Sequence, residues 1–251
     1  MVSADLIREA RLRAGLTQQE LAQRSGRERS VIARWEQGGS APSLETLLDL
    51  LAVCGFDLPL ELADRDEAAF ARLRENAFLS PERRVDQMLQ ARVKLTAQGD
   101  ELAPFDPHAI LAALDRQRIA YVVIGSFARV IQGTDEIAHE LEITPSRQPP
   151  NLARVQRALQ ELAAIEVGAN PEPSEGTFTS EHGALTVLWE PAGSRRGYTD
   201  LRRAASREPI GRGLRPPVAS AADLAGMLSA LGRDEDRPAI LALRRLIRLG
   251  S

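Results

Sequence analysis

"LTQQELAQRSGRERSVIARWEQGG", residues 16–39, has the spacing of two short helices around a tight turn. Thr17 and Glu20 make a capping box, in which the threonine hydroxyl takes a free amide at the helix start and the glutamate reaches back to the threonine amide. Ser25-Gly26 ends that helix after eight or nine residues, since glycine enters the left-handed conformation of a helix stop without steric cost. Beyond it, Val31, Ile32 and Trp35 stand at i, i+1 and i+4 and form an apolar stripe. Arg29, Ser30, Ala33 and Arg34 turn elsewhere, and Gly38-Gly39 stops the second helix. The pattern predicts a helix-turn-helix. Outward from it, residues 4–14 read as a preceding helix stopped by Gly15. Ser43 caps a fourth helix with Leu44, Leu47, Leu48 and Leu51 on one face.

Residues 5–55 resemble the lambda-repressor-like (Xre-type) DNA-binding family, most directly in "LTQQELA" and in "RWEQG" followed by "PSLETLLDLL". The resemblance implies that the second central helix enters the major groove of double-stranded DNA. It also implies that Gln18 holds a phosphate and that Arg29, Ser30 and Arg34 are the base-reading positions. Arg27 departs from the small hydroxyl residue usual at its place and is expected to add a phosphate contact. Arginine bonds guanine through O6 and N7 together, so guanines are expected in the half-site, each contact worth ~1–3 kcal/mol of discrimination. One such domain covers half a site, and paired half-sites about one DNA turn apart imply a homodimer. The rival reading, a four-helix module packing on a protein partner, leaves the basic face without a role.

The whole chain, 251 residues, has room for this small domain and a larger one. Its 43% apolar and 27% charged residues are ordinary globular material, and a net charge of -3 argues neither for nor against nucleic acid. No apolar run approaches the ~18 residues of a membrane span, and the N-terminus is charged from Asp5, so a cytoplasmic location without a membrane partner is expected. Cys54 is the only cysteine, which excludes a disulfide within the chain and leaves core packing as its role.

Residues 56–104 read as a connector. Residues 56–62 alternate in the manner of a short strand, "ADRDEAAFARLREN" is a charge run suited to a solvated helix face, and Ser80-Pro81-Glu82 starts a helix with Val85, Met88 and Leu89 on one side. This segment is expected to space the domains and to serve as a dimerisation arm.

From Asp106-Pro107 the chain alternates helices and strands: helix 107–118, strand 119–125, helix 126–132, strand 138–144, helix 150–163, strands near 177–180 and 184–189, and helices at about 220–231 and 236–249. That order predicts an α/β sheet. The fold class is therefore multidomain: an all-α helix-turn-helix domain (1–55), a helical connector (56–104) and an α/β domain (105–251).

Within that last domain, Gly125-Ser126 closes an apolar strand, and Glu140 and Glu142 form an acid-x-acid pair on the next. With Gly133 after the short helix, this layout resembles the polymerase-β-like nucleotidyltransferase superfamily, nearest to its small toxin–antitoxin members. The resemblance implies a site for Mg²⁺ and a nucleoside triphosphate. Carboxylates are the oxygen ligands that hold such a cation, and acids at i and i+2 of a strand project from one face. Gly125, Ser126, Glu140 and Glu142 are thus the candidate ligand-binding residues, and Glu140 and Glu142 the candidate metal ligands and catalytic acids.

The sequence departs from the family in several places. Both acids are glutamate where aspartate is usual, and Thr186 stands where a third acid is expected. Asp135 and Glu136 occupy the place of an arginine, and Leu228 and Glu235 that of lysines. Glu181, Glu190, His139 and His182 are the alternative ligands of a rearranged metal site. Arg195, Arg196, Arg202, Arg203, Arg212 and Arg215 form the densest basic cluster of this half. These departures favour a DNA-binding transcriptional regulator whose second domain has lost catalysis and serves dimerisation or ligand sensing, with Mg²⁺ and a nucleoside triphosphate as cofactors only if that site is functional. Two alternatives stay open: an active toxin–antitoxin nucleotidyltransferase with an autoregulatory DNA-binding domain, and an antitoxin-like module binding DNA and a cognate toxin.

Overall fold

Four helices build the N-terminal unit: α1 (Val2–Arg13), α2 (Gln18–Ser25), α3 (Arg29–Glu36) and α4 (Leu44–Val53). In this computed structural model, which describes residues 2–58, 66–167 and 175–249, the chain divides into two units between residues 65 and 66. The capping box forms as the sequence predicts, with the Thr17 hydroxyl accepting from the Glu20 amide. Gly26 ends α2 at φ 65°, in the left-handed region. Ile7, Leu21, Ile32 and Leu50 are its innermost side chains, and Trp35 packs against them.

On α4 the buried face differs from the expected one. Leu47, Leu50 and Leu51 are buried, followed by Cys54, whereas Leu44 is exposed. Leu44 is the first residue after the Ser43 cap, and helical side chains lean toward the N-terminus, so it projects past the end of the helix instead of onto the core. Burial pushes the Cys54 thiol pKa up, in keeping with a packing role.

The second unit begins with α5 (Glu67–Phe78) and α6 (Pro81–Ala97), which corrects the reading of residues 66–104 as a separate connector. Val85 and Met88 of α6 are buried in the same core as the sheet. Arg84 donates to the carbonyls of Asn76 and Ala77 at the end of α5, and to Ile131. Arg92, 6% exposed, donates to Ala138 at 2.7 Å and Ala103 at 2.6 Å. Both arginines thereby join backbone carbonyls of separate segments, Ile131 and Ala138 among them, to α6. Residues 56–58 form no strand, and 59–62 of the expected strand lie outside the described residues.

There follow α7 (Pro107–Arg116), β1 (Tyr121–Ile124), α8 (Gly125–Gln132), β2 (Glu140–Pro145), α9 (Pro149–Glu161), β3 (Ile165–Glu166), β4 (Glu175–Ser180) and β5 (Gly183–Leu188). The chain closes with α10 (Tyr198–Leu201), β6 (Ser206–Arg207), β7 (Pro217–Val218), α11 (Ala221–Leu231) and α12 (Arg237–Leu249). The strands form one mixed sheet in the order β3-β4-β5-β2-β1-β7-β6. At its centre β1 runs antiparallel to β2 and parallel to β7, and β2 runs parallel to β5. All four residues of β1 are buried, as a strand covered on both faces requires. Among the described residues no helix is long and apolar enough to cross a membrane.

Candidate functional site

In the N-terminal unit, α2, the turn at Gly26 and α3 present Arg27, Arg29, Ser30 and Arg34 as exposed side chains. None of the three arginines has a carboxylate partner among the described residues. Ser30 instead donates to Glu28, the N-cap residue of α3, at 3.3 Å. Gln18 opens α2 half-buried, and its side-chain amide donates to Glu36 at 2.8 Å.

Glu36 is the hub that sequence reading missed. Arg11 of α1 donates to its two oxygens at 2.6 and 2.9 Å, so one carboxylate ties α1, α2 and α3 together. Burial pushes the Glu36 pKa up, but the hydrogen bonds from Arg11 and Gln18 and the charges of Arg11 and Arg8 outweigh it and hold the group below the usual carboxylate range. A signal was present in principle, since Glu36 follows Trp35 on the inward side of α3, but its partner lies 25 residues away.

In the second unit the structure brings Gly125, Ser126, Glu140, Glu142 and Thr186 together. Ile124, the last residue of β1, pairs with Glu142, and Glu142 in turn pairs with Thr186. Gly125 has φ 68°, and a Cβ built on it would fall on the Glu142 carboxylate. That carboxylate lies 3.4 Å from the Ser126 amide, at the positive end of α8. Glu140 accepts from the Thr186 hydroxyl at 2.5 Å, and Thr177 meets Thr186 at 3.1 Å. The third-acid position is thus a buried hydroxyl engaged with a neighbouring carboxylate.

The substituted positive positions are also accounted for locally. Glu136 accepts a two-pronged bond from Arg129 of α8, at 2.9 and 2.7 Å, and a hydroxyl bond from Thr134 at 2.6 Å. Burial lowers the Arg129 pKa, yet the Glu136 bond and charge, with the charges of Glu142 and Asp236, raise it overall. Leu228 is buried in the core, and Glu235 is exposed beside Arg233.

The alternative metal ligands do not gather. His139 faces Arg92 at 3.3 Å, Glu181 and His182 lie at the β4–β5 turn, and Glu190 pairs with Arg147 beyond the other end of β5 at 2.6 Å. Among the described residues no group of three His, Cys, Asp or Glu side chains converges. One Glu140 oxygen accepts from Thr186, and the Glu142 carboxylate lies against the glycine-serine turn. In the basic cluster, Arg196 pairs with Asp200 at 3.0 Å and Arg212 with Asp106 at 3.6 Å, while Arg202 sits 6.0 Å from the Tyr198 ring centroid.

Residues 7–60 match the helix-turn-helix family model. Among solved structures, the chain is similar to a Thermotoga maritima protein assigned as a nucleotidyltransferase, with 18% identity over 56% of this chain and 89% of that one and a TM-score of 0.41. It is similar to the lincosamide antibiotic adenylyltransferase LnuA in its lincomycin-bound form, at 15% identity over 57% of this chain and 99% of that one, TM-score 0.44. The antibiotic-resistance factor ANT(2'')-Ia aligns at 14% identity over 57% of this chain and 82% of that one, TM-score 0.41. No curated protein sequence matches the chain.

Proposed function

We propose that the chain is a sequence-specific, dimeric DNA-binding transcriptional regulator whose second unit keeps a nucleotidyltransferase-like arrangement without transferring nucleotides. The observation that carries the DNA-binding half is the exposed, carboxylate-free set Arg27, Arg29 and Arg34 on a capped helix-turn-helix. Arg29 and Arg34 read bases and Arg27 and Gln18 hold phosphates, because base contacts specify whereas phosphate contacts position. Loss of catalysis is supported by the Glu142 carboxylate lying against Gly125 and the start of α8, where a phosphate would otherwise be drawn.

Affinity selection from random duplex DNA, followed by anisotropy titrations on selected and random sequences, tests the first half. The expected product is a site of two half-sites about 10 base pairs apart, bound by a dimer. Equal affinity for every duplex would refute sequence-specific reading. For the second half, incubation with labelled nucleoside triphosphates and Mg²⁺ is expected to label neither the protein nor added RNA. Labelling that disappears in Glu140→Ala would establish the active-transferase reading instead.

A further inference from the structure

At the end of β1 opposite Gly125, a cleft of about 560 Å³ opens, within the size range of small-molecule sites. Its lining includes Asp115 of α7, Arg118 just after that helix, Tyr121 of β1, Tyr198 and Arg202 at α10, and Arg207 of β6. The four charged residues are exposed at the rim, whereas Tyr121 is only 3% exposed. The Tyr121 hydroxyl is buried and has no hydrogen-bond partner among the described residues. A buried hydroxyl in that state is costly, and an acceptor brought to it lowers that cost.

Three guanidiniums against one carboxylate make the cleft positive. Among the described residues neither Arg118, Arg202 nor Arg207 pairs with an acid; Arg207 donates only to the Arg215 carbonyl, at 3.1 Å. Burial is the main cause raising the Tyr121 phenol pKa, and Asp115 adds to it while Arg207 opposes, so the hydroxyl stays protonated at neutral pH and is available as a donor. Arg118 adopts φ 52°, the left-handed conformation that glycine takes without strain at a helix end, yet the residue there is an arginine lining the cleft.

We propose that this cleft binds a small phosphate-bearing molecule, its phosphate taken by Arg118, Arg202 and Arg207 and a further oxygen accepting from the Tyr121 hydroxyl. Guanidiniums suit phosphate through paired N–H donors, and a phosphomonoester carries close to two negative charges at neutral pH. The site is separate from the Glu140–Glu142 pair. Tyr121 pairs with Pro145, whereas Ile124 at the other end of β1 pairs with Glu142, roughly 10 Å further along at ~3.3 Å per residue.

Calorimetric titration of the full chain with ribose 5-phosphate, inorganic phosphate and ribose tests the proposal. Both phosphates should bind saturably, the ester more tightly, and ribose should not. Arg118→Gly keeps the backbone because glycine suits its conformation, and Tyr121→Phe removes a hydroxyl that has no partner, so both variants should melt no lower than the parent. Each is expected to weaken ribose 5-phosphate about tenfold, the loss of one charge-assisted or buried hydrogen bond. Absence of saturable binding by either phosphate overturns the proposal, as does binding left unchanged by both substitutions. Binding strengthened by Glu142→Ala and left unchanged by Arg118→Gly and Tyr121→Phe would assign the phosphate to the other end of β1. Random-duplex affinity that falls in Arg118→Gly without small-phosphate binding would assign these arginines to DNA.

Discussion

Gln18 donates one side-chain N–H to Glu36 at 2.8 Å, and the second N–H of the same amide has no partner among the described residues. The amide is thereby held in a fixed orientation with one donor left over, the arrangement a phosphate clamp needs. Gln18→Ala is expected to weaken selected and random duplexes by the same factor, about 2- to 10-fold for one hydrogen bond of ~0.5–1.5 kcal/mol. Anisotropy titrations on both duplexes check this, and a loss confined to the selected site would refute the phosphate role.

The Arg11–Glu36 pair gives the N-terminal unit a defined acid limit. Both side chains are largely buried, at 11% and 4% exposure, so Glu36→Ala should cost about 3 kcal/mol by leaving Arg11 uncompensated. Because the folded state holds the Glu36 pKa below its ordinary value, folding favours the charged form. Its stabilisation is complete above the ordinary glutamate range, near pH ~4.3, and is lost as pH falls through the depressed native value. Urea midpoints followed by Trp35 fluorescence in a Trp189→Phe background should show this loss on acidification. Glu36→Gln should flatten it, and an unchanged acid limb in Glu36→Gln would assign the effect to other carboxylates.

Caps, turns and periodic stripes made much of this architecture legible. Thr17 and Glu20, Ser43, Ser80-Pro81 and Asp106-Pro107 each start a helix where the sequence predicts one, because a cap is decided by residues three apart. The glycine-serine turn and the acid pair were legible for the same reason. What escaped was decided at a distance. Arg84 and Arg92 are charges on a helix read as a connector, and their spacing does not show that each is consumed by carbonyls, including Ile131 and Ala138, more than forty positions away. β3, β6 and β7 have two residues each, too few to carry a period, and exist only through the neighbours they pair with.

Arg29 and Arg34 stand five positions apart on α3, both exposed and without carboxylate partners among the described residues. Arg29→Ala and Arg34→Ala should each erase preference at particular base positions, with ~1–3 kcal/mol of discrimination lost, while affinity for random DNA falls much less. Arg27→Ala should lower affinity for both kinds of DNA and reduce the salt dependence by about one counterion. Binding to a set of single-base variants at two salt concentrations separates the roles. Identical profiles for all three substitutions would reject the division between reading and positioning.

Gly125 and Glu142 are coupled through space. In the parent, Gly125→Ala must adopt φ 68° and also displace the Glu142 carboxylate, whereas in a Glu142→Ala background only the first cost remains, about 1–2 kcal/mol. Urea unfolding of the four proteins in this cycle is expected to give a coupling of ~0.5–3 kcal/mol. Strict additivity would mean that the carboxylate does not rest against the glycine in solution.

The same carboxylate decides what the glycine-serine turn can hold. A metal-binding glutamate and an obstructing one respond to removal in opposite directions. If Glu142 ligated a cation, Glu142→Ala would abolish metal-dependent nucleotide binding. In the arrangement found here, its negative charge sits 3.4 Å from the Ser126 amide at the positive end of α8, the place most favourable to a phosphate. Removing it clears that amide and deletes a like charge from the approach of any anion. Glu142→Ala is therefore expected to bind ATP more tightly than the parent, by roughly fivefold for ~1 kcal/mol of local electrostatics at a helix start. Calorimetry with ATP and Mg²⁺ on the two proteins measures the sign directly, and weaker binding in Glu142→Ala would restore the acid pair to a metal-holding role.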